Sequence, residues 1–241
     1  LFPAIFKQSQ FGYDGKGQSH VNNIDEAKIV FNSSNETEFV LEKKLSLDKE
    51  ISVVLSRSSN GVSKIFPVIE NHHEAGILDL SIVPARVNEN LKKEAVDYAL
   101  ELAKNLNYIG TIAVEFFISD KKLYVNEIAP RPHNSGHFTL DACNISQFDQ
   151  QVLSLVGENL IDIRLENNAV MLNLLGDLWL KDGGVKTPKF EEIEESEVNI
   201  HLYGKNAPRI GRKMGHITII GKNIEDLISK AGKIRSKLWE S

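Results

Sequence analysis

Short runs of β-branched and aromatic residues, separated by Gly, Asn, Ser and Asp, dominate the first third of the chain. These runs predict four strands, at residues 3–7, 38–42, 51–56 and 64–69. The sequence between them shows no clear amphipathic helix of the kind that connects parallel strands. The pattern therefore does not predict an alternating strand and helix fold in this part of the chain.

Apolar residues spaced three and four apart predict a helix at residues 90–106. A second helix is predicted to begin near Ser146, because the spacing of Ser146 and Asp149 is typical of a capping box. This helix is predicted to end before Gly157, a residue type that commonly follows the last turn of a helix.

Beyond the second helix the chain becomes polar, and residues 158–168 are the predicted boundary between two domains. Residues 169–241 predict an apolar strand, two further strands and a closing helix with one apolar face. We therefore expect a first domain at residues 1–157 and a smaller, β-rich domain at residues 158–241.

Two strands at residues 111–118 and 123–128 are predicted to form an antiparallel hairpin, because only four polar residues separate them. With a loop of residues 120–122, Glu115 on the first strand lies opposite Glu127 on the second. Two facing carboxylates repel each other unless a cation binds between them.

Magnesium is the cation that this pair of carboxylates favours, since it prefers oxygen ligands and commonly bridges to substrate phosphates. Asn126 would add an amide oxygen beside Glu127. The alternative is that Glu115 and Glu127 lie on a solvated face of the sheet in an offset register. The residues by themselves leave both interpretations open.

The composition narrows the class of protein. The chain has 241 residues, of which 41% are hydrophobic and 25% charged, as is typical of globular proteins. A formal net charge of −5 argues against a nucleic-acid surface built on bulk positive charge, and no run of about 18 apolar residues predicts a membrane helix. The single cysteine, Cys143, excludes an intramolecular disulfide, so the cytoplasm is the expected location.

A glycine-rich loop at residues 11–18 follows the first predicted strand. Its small residues would let backbone N–H groups approach an anion, while Lys7 and Lys16 would add positive charge. Taken alone, the pair Asp14 and Gly15 favours a type I′ hairpin turn, in which it is common. The loop is therefore either a phosphate-binding flap or a simple turn.

The stretch 131–137 contains a proline and a glycine, which disfavour the helix that a zinc site of His133 and His137 would need. Arg131 offers a planar set of donors for a carbonate or phosphoryl group. His133 and Asn134 would orient such a group or move a proton beside it. The alternative is a polar surface turn.

Four cations lie within nine positions near the C-terminus of a chain that is acidic overall: Lys205, Arg209, Arg212 and Lys213. Proline and glycine residues between them indicate a shaped loop, so we interpret this segment as a site for a phosphate monoester. A solvated charged loop is the alternative.

Five motifs point to one family. They are Gly-Tyr-Asp-Gly-Lys-Gly-Gln at 12–18, Asp-Lys-Glu-Ile-Ser-Val at 48–53, Asn-Glu-Ile-Ala-Pro-Arg-Pro-His-Asn-Ser-Gly-His at 126–137, Ile-Ser-Gln-Phe at 145–148 and Pro-Arg-Ile-Gly-Arg-Lys-Met-Gly-His at 208–216. Together they resemble the 5-(carboxyamino)imidazole ribonucleotide synthases, ATP-grasp enzymes of purine biosynthesis. The resemblance implies an α/β (α+β) ATP-grasp fold with mainly antiparallel sheets, in which residues 1–55 form a lid. Ile210 stands where the family often has proline.

The resemblance also implies roles for individual residues. The residues implied for ATP are Lys7, Gly12, Tyr13, Asp14, Gly15, Lys16, Gly17, Gln18, Glu42, Lys43, Lys44, Leu45, Glu50 and His73. Glu115 and Glu127, with Asn126 beside them, would bind magnesium. Arg131, His133 and Asn134 would surround bicarbonate. The residues implied for the ribonucleotide are Tyr13, Lys16, Lys205, Arg209 and Arg212.

The implied activity is the ATP- and bicarbonate-dependent carboxylation of 5-aminoimidazole ribonucleotide through carboxyphosphate, by a ligase or lyase that acts as a cytoplasmic homodimer. Members of the family carry an additional N-terminal domain that this sequence does not show, so we expect the chain by itself to be inactive. The alternatives are another ATP-grasp ligase, such as a formate-dependent glycinamide ribonucleotide transformylase or a biotin carboxylase, and a nucleotide-binding fragment without activity.

Overall fold

The computed structural model describes residues 1–9, 17–33, 38–181, 184–193 and 195–240. The chain divides into two compact units. The first comprises Leu1–Leu47 and His73–Ile77, and the second comprises Asp48–His72 and Leu78–Ser241.

The first unit contains a three-stranded antiparallel sheet and one helix. Its elements are β1 (Ala4–Gln8), β2 (Gln18–Val21), α1 (Ile24–Ser33) and β3 (Phe39–Lys43). Strand β1 is central and pairs with both β2 and β3. Helix α1, which the sequence analysis did not predict, begins where the Asn23 side chain accepts the backbone N–H groups of Asp25 and Glu26.

The remaining elements form the larger part of the fold. The strands are β4 (Lys49–Arg57), β5 (Ser63–Ile65), β6 (Ile69–Glu74), β7 (Ile77–Val83), β8 (Gly110–Ser119), β9 (Lys122–Ala129), β10 (Asn168–Leu175), β11 (Leu180–Lys181), β12 (Gly184–Val185), β13 (Val198–Leu202) and β14 (Lys213–Gly221). The helices are α2 (Glu89–Asn105), α3 (Thr139–Ala142), α4 (Gln147–Val156) and α5 (Ile224–Glu240).

A nine-stranded sheet organises these elements. Its strands lie in the order β13, β14, β10, β7, β6, β4, β8 and β9, and β5 pairs with β4. The pairs β4 with β8, β8 with β9, β7 with β10 and β10 with β14 are all antiparallel. The predicted mixed α/β fold with antiparallel sheets is confirmed. Strands β10, β13 and β14 continue this sheet, and the division into domains at residues 157 and 158 stays a prediction.

Helices cover the sheet with the apolar faces that the sequence predicts. Helix α2 packs Ala95, Ala99 and Ala103 against β4 and β8 in one core cluster. Helix α5 packs Leu227, Ala231, Ile234 and Leu238 against β10 and β14 in another. No helix among the described residues is both long and apolar enough to cross a membrane.

The boundaries of α4 agree with its sequence signals. Ser146 accepts the backbone N–H of Asp149, and the Asp149 carboxylate accepts the N–H of Ser146, which completes the predicted capping box. Gly157 follows the helix in the left-handed conformation, with φ of 79°. The helix therefore starts and stops for local reasons.

The predicted single strand at residues 64–69 is wrong. The chain forms β5, leaves the ladder at residues 66–68 and then forms β6. Pro67 lies in the interruption, and proline has no N–H to donate to a ladder.

Candidate functional site

The hairpin of β8 and β9 places Glu115 directly opposite Glu127. Glu115 is buried, with 8% of its surface exposed, whereas Glu127 is exposed. Directly opposed residues in antiparallel strands have Cβ atoms about 4.5–5.5 Å apart, so both carboxylates lie within reach of one cation. The predicted opposition is confirmed and the offset register is wrong.

The connection between β8 and β9 is one residue shorter than predicted. Ser119 pairs with Lys122, so the loop consists of Asp120 and Lys121 rather than residues 120–122. Both loop residues have positive φ, 50° and 61°, as a type I′ turn requires. By itself this shorter loop would shift the register by one residue.

A β-bulge restores the opposition of the two glutamates. Phe116 pairs with Val125, so an uninterrupted ladder would place Asn126 opposite Glu115. The register shifts between Glu115 and Phe116, and Glu115 pairs with Glu127. Asn126 is therefore the extra residue of the bulge, and the bulge brings Glu127 onto the face of Glu115.

His133 joins the loop after β9 to this carboxylate pair. Its Nε2 atom lies 3.1 Å from Glu115 Oε1, and its Nδ1 atom lies 2.9 Å from Ser135 Oγ. His133 and Ser135 are buried, whereas Arg131 is exposed at the start of the loop. The structure thus places one candidate bicarbonate residue against a candidate magnesium ligand.

Gln147, the first residue of α4, fixes the backbone of the same loop. Its Oε1 atom accepts the N–H of His133 at 2.8 Å, and its Nε2 atom donates to the carbonyl of His133 at 2.7 Å. A Cβ atom on Gly136 would lie 2.6 Å from Gln147 Oε1, which is closer than real Cβ contacts. Close packing against Gln147 therefore requires glycine at this position.

Asn134 is held by a second amide. Its Nδ2 atom donates to Asn173 Oδ1 at 2.9 Å, and Asn173 Nδ2 donates back to Asn134 Oδ1 at 2.9 Å. Asn173 lies on β10 and also donates to the carbonyl of Leu78. Because His133 and Asn134 are buried in specific hydrogen bonds, the alternative of a polar surface turn is wrong for these two residues.

The basic segment near the C-terminus concentrates positive charge. Lys205 and Arg209 are exposed, and Lys205 Nζ lies 5.2 Å from the centroid of the Tyr203 ring. Although Lys205 is exposed overall, partial desolvation of its ammonium group, together with the neighbouring charges of Arg212 and Lys213, lowers its pKa. Cations that disfavour each other's charge are stabilised by an anion, as expected for a phosphate site.

The turn after β10 shapes the backbone of this basic segment. The N–H of Gly176 donates to the carbonyl of Arg212 at 2.8 Å, and the N–H of Gly211 donates to Asp177 Oδ2 at 2.8 Å. A Cβ atom on Gly176 would lie 2.2 Å from the carbonyl oxygen of Arg209. The backbone of residues 209–212 therefore packs against this turn, while the Lys205 and Arg209 side chains are exposed.

Aromatic rings connect the basic segment to the loop of His133. The ring centroid of His137 lies 5.0 Å from that of His216 and 6.1 Å from that of Tyr203. The Tyr203 hydroxyl lies 2.9 Å from His216 Nδ1. Burial, with smaller contributions from nearby cations and histidines, lowers the pKa of His137 to about 4 and that of His216 to about 3. Both rings are neutral near neutral pH.

Asp141, His201 and His216 form a group whose ligand atoms all lie within 4.8 Å of one another. The rings of His201 and His216 are stacked, with centroids 4.5 Å apart and planes 12° apart. A metal ion binds in the plane of an imidazole, so two stacked rings do not direct their lone pairs at one ion. This arrangement favours the contact of His201 Nε2 with Asp141 Oδ2, at 3.0 Å, over joint binding of a metal.

Candidate nucleotide residues of the first unit lie on its sheet. Lys7 of β1 and Glu42 of β3 form an ion pair, with Nζ and Oε2 2.7 Å apart. Lys43 ends β3, and Lys44 and Leu45 follow it without regular structure. The structure thus brings together the lysine implied for phosphate and the start of the segment implied for adenine.

Most of the glycine-rich loop lies outside the described residues: Gly12, Tyr13, Asp14, Gly15 and Lys16. Gly17 has φ of 73°, and Gln18 opens β2 opposite Lys7. His73 lies in the first unit, whereas Glu50 lies on β4 in the second.

The sequence analysis assigned no role to two residues of the site, Asn173 and Gln147. Asn173 carried a usable signal, since it interrupts the apolar strand at residues 169–175. Gln147 lies in the motif at 145–148, but a polar residue at the start of a helix gave no indication of its contact with His133.

Comparison with known proteins decides the family. The family model for the ATP-grasp domain matches residues 1–148, more than half of the chain. The chain belongs to the ATP-grasp family. A second family model, for the phosphoribosylaminoimidazole carboxylase C-terminal domain, matches residues 169–230 of this ATP-grasp chain.

Within the ATP-grasp family, the chain is similar to one group of curated relatives and solved structures. The N5-carboxyaminoimidazole ribonucleotide synthases of Staphylococcus aureus (strain N315) and Bacillus subtilis (strain 168) are each 42% identical to this ATP-grasp chain over 225 residues. These alignments cover 92% and 93% of the chain but only 58% and 57% of the relatives. The structure of N5-carboxyaminoimidazole synthetase from Staphylococcus aureus complexed with ADP is 40% identical, with a TM-score of 0.84, and the match covers 98% of this chain and 61% of that one.

The ATP-grasp chain thus spans about three fifths of the length of the relatives it matches. The resemblance that the motifs indicated and the ATP-grasp fold that it implied are both confirmed.

Proposed function

We propose that the protein carboxylates 5-aminoimidazole ribonucleotide with ATP and bicarbonate, forming N5-carboxyaminoimidazole ribonucleotide in purine biosynthesis. The names of the relatives and the match to the carboxylase C-terminal domain support this reaction. The structural observation that carries it is the contact of His133 with Glu115, opposite Glu127. This contact joins a carboxylate pair suited to magnesium to a loop suited to bicarbonate.

Glu115 and Glu127 fit magnesium as ligands. Both offer carboxylate oxygens on opposed positions of β8 and β9, and the bulge residue Asn126 lies half-buried beside them. Bound there, magnesium would supply positive charge to the phosphate oxygens of ATP. Lys7 and the flap at residues 12–18 would neutralise the same oxygens from protein groups.

Arg131, His133 and Asn134 would hold bicarbonate. The exposed guanidinium of Arg131 offers paired donors to its oxygens, while His133 and Asn134 are fixed by Glu115 and Asn173. A bicarbonate oxygen forms a bond to the γ-phosphorus as the bond to the ADP oxygen breaks, which gives carboxyphosphate. The exocyclic amine of the ribonucleotide then forms a bond to the carboxyl carbon as the C–O bond to phosphate breaks, inorganic phosphate leaves and the nitrogen gives up a proton.

The basic segment would bind the phosphate of the ribonucleotide. Lys205, Arg209 and Arg212 would supply the charge, and the turn at Gly176 contacts the backbone of Arg209 and Arg212. Tyr13 and Lys16 would contact the same substrate. The segment implied for adenine at residues 42–45, with Glu50 and His73, would contact the nucleoside of ATP. A cytoplasmic homodimer stays a prediction from the family resemblance.

The proposal is tested by assaying the complete protein with ATP, magnesium, labelled bicarbonate and the ribonucleotide. We expect ADP release that depends on the ribonucleotide, with one labelled carbon transferred for each ADP. Glu127→Gln should reduce this rate about 100-fold, because a charged ligand at the reacting phosphates is lost. Glu158→Gln, a change at an exposed carboxylate after α4, serves as the matched control and should retain the rate.

Two outcomes would contradict the proposal. ADP release that responds to formate and glycinamide ribonucleotide, or to biotin, instead of the aminoimidazole substrate would assign a different ATP-grasp reaction. An unchanged rate in Glu127→Gln would remove Glu127 from the proposed magnesium site.

A further inference from the structure

A chain of buried polar side chains crosses the sheet behind His133. Ser81 Oγ donates to Asn71 Oδ1 at 2.9 Å, and Asn71 Nδ2 donates to Ser52 Oγ at 2.8 Å. Ser52 Oγ donates to Ser135 Oγ at 2.9 Å, and Ser135 Oγ lies 2.9 Å from His133 Nδ1. All five residues are less than 9% exposed, and the chain links β7, β6 and β4 to the loop after β9.

The amide of Asn71 gives this chain a direction. Its oxygen can only accept and its nitrogen can only donate, so Ser52 receives a hydrogen from Asn71 and directs its own hydrogen to Ser135. Donation to His133 Nδ1, 2.9 Å away, then gives the buried hydroxyl hydrogen of Ser135 its acceptor. The backbone N–H of Ser135 points at the same Nδ1 atom, at 3.4 Å.

A neutral imidazole that accepts at Nδ1 carries its hydrogen on Nε2. His133 Nε2 is the atom that faces Glu115 Oε1, at 3.1 Å. In this tautomer the ring donates to the carboxylate and holds it in place. In the other tautomer a nitrogen lone pair would face the carboxylate, and the repulsion would turn Glu115 away from its position opposite Glu127.

We propose that Asn71, Ser52 and Ser135 are positioning residues that set the tautomer of His133 and, through it, the orientation of Glu115. The consequence for turnover rests on the proposed carboxylation, whereas the tautomer itself does not. None of the three side chains needs to touch a substrate. They act because each donates a hydrogen to the next, from Asn71 inside the sheet to Nδ1 of His133.

The catalytic test compares Ser52→Ala with Ser56→Ala in the complete protein. Ser56 lies on the same strand and face, is fully buried, and makes one hydroxyl contact, with Thr111 Oγ1 at 2.7 Å. Ser52→Ala removes two buried hydroxyl hydrogen bonds and Ser56→Ala removes one, so Ser52→Ala should lose more stability and kcat is measured where both variants are folded. We expect kcat to fall about tenfold in Ser52→Ala only, with the KM for ATP unchanged, as for other changes behind a ligand residue.

The tautomer is measured directly with protein labelled with ¹⁵N at histidine, without added metal or nucleotide. The two ring nitrogens of His133, assigned by loss of their signals in His133→Gln, have different chemical shifts in the two tautomers. We expect the Nε2–H form in the unsubstituted protein and in Ser56→Ala. Ser52→Ala should show a mixture, because Ser135 Oγ then lacks the hydrogen that it accepts from Ser52 and can accept the Nδ1 hydrogen of His133 in its place.

A third variant, Ser52→Cys, keeps the test possible if Ser52→Ala does not fold. Ser52→Cys keeps a side chain of similar shape with a much weaker donor, so its kcat and its tautomer mixture should fall between those of the unsubstituted protein and Ser52→Ala. If Ser52→Ala does not fold, Ser52→Cys carries both measurements against Ser56→Ala.

The outcomes separate this inference from the proposed function. The same His133 tautomer in the Ser52 variants as in Ser56→Ala would overturn the inference, even if kcat fell. A changed His133 tautomer ratio with an unchanged kcat would show that the three positioning residues do not affect turnover. Absence of ribonucleotide-dependent ADP release in the unsubstituted protein would refute the proposed carboxylation. The nitrogen chemical shifts would still decide whether Asn71, Ser52 and Ser135 set the tautomer of His133.

Discussion

His137 and His216 show at the residue scale what burial does to a titratable group. Desolvation disfavours the imidazolium form, so their pKa values fall to about 4 and about 3. Unfolding returns both rings to water, where a histidine pKa is about 6.5. The unfolded chain therefore binds protons between pH 6.5 and 4 that the folded chain does not bind, and the free energy of unfolding falls as the pH is lowered through this range.

We expect His216→Asn to weaken this pH dependence. One histidine that stays neutral only in the folded state contributes at most about 1.4 kcal/mol per pH unit to the slope, and the variant removes that contribution. Urea unfolding at pH steps from 7 to 4 measures the slope. His20→Asn, at an exposed ring in β2, is the control and should leave the slope as it was. Equal slopes in His216→Asn and the unsubstituted protein would contradict the neutral state of His216.

The hairpin of β8 and β9 shows at the element scale how a turn and a bulge compensate each other. The two-residue turn at Asp120 and Lys121 requires positive φ at residues that are not glycine, and the bulge at Asn126 offsets the shorter loop. For a non-glycine residue, the left-handed conformation is less stable than the usual one by roughly 1–2 kcal/mol. The pairing of Glu115 with Glu127 therefore rests on two local irregularities.

Lys121→Gly should stabilise the protein by roughly 0.5 kcal/mol, because glycine adopts φ near 61° without strain although it gains more entropy on unfolding. Lys122→Gly is the matched control, since Lys122 is the first residue of β9, and it should destabilise by a similar amount. Thermal and urea unfolding of both variants test the difference. Destabilisation by Lys121→Gly would show that the lysine side chain contributes more than the turn conformation costs.

At the scale of the whole molecule, Glu70 connects several elements of the sheet and helix layers. The carboxylate is fully buried on β6 and pairs with Lys49 of β4 and with Arg86 after β7. Arg86 also reaches Glu225 in the first turn of α5, at 3.3 Å. Burial would raise the pKa of Glu70, but hydrogen bonds from His72, Arg86 and Lys49 outweigh it and hold the pKa well below its usual range.

Glu70→Gln should therefore lower the free energy of unfolding by about 2 kcal/mol at neutral pH. Breaking a buried pair costs roughly 3–5 kcal/mol, and the partial exposure of both cations reduces that figure. Since the folded pKa is depressed, the contribution is present above pH ~4.5 and is lost only as the pH falls through the lower folded pKa. Denaturant unfolding at pH 7 checks the loss. The exposed partner change Glu225→Gln should cost less than about 0.5 kcal/mol, and equal losses would argue against a central role for Glu70.

The sequence by itself determined the features of this protein that depend on neighbouring residues. Periodicity and the capping pair Ser146 and Asp149 specify α2 and α4, because helix signals act within a few turns. The motifs at residues 126–137 and 208–216 indicate the family, because they retain side chains in a fixed order. The opposition of Glu115 and Glu127 was also predicted, although from a loop one residue too long.

Only the tertiary structure decided which distant residues meet. The contacts of Asn134 with Asn173, of His133 with Gln147, and of Ser52 with Asn71 join residues 14 to 39 positions apart. A buried polar group needs a partner, but the sequence does not state which of many polar side chains supplies it. That choice follows from strand order and register in the nine-stranded sheet, which are set by packing of the whole molecule.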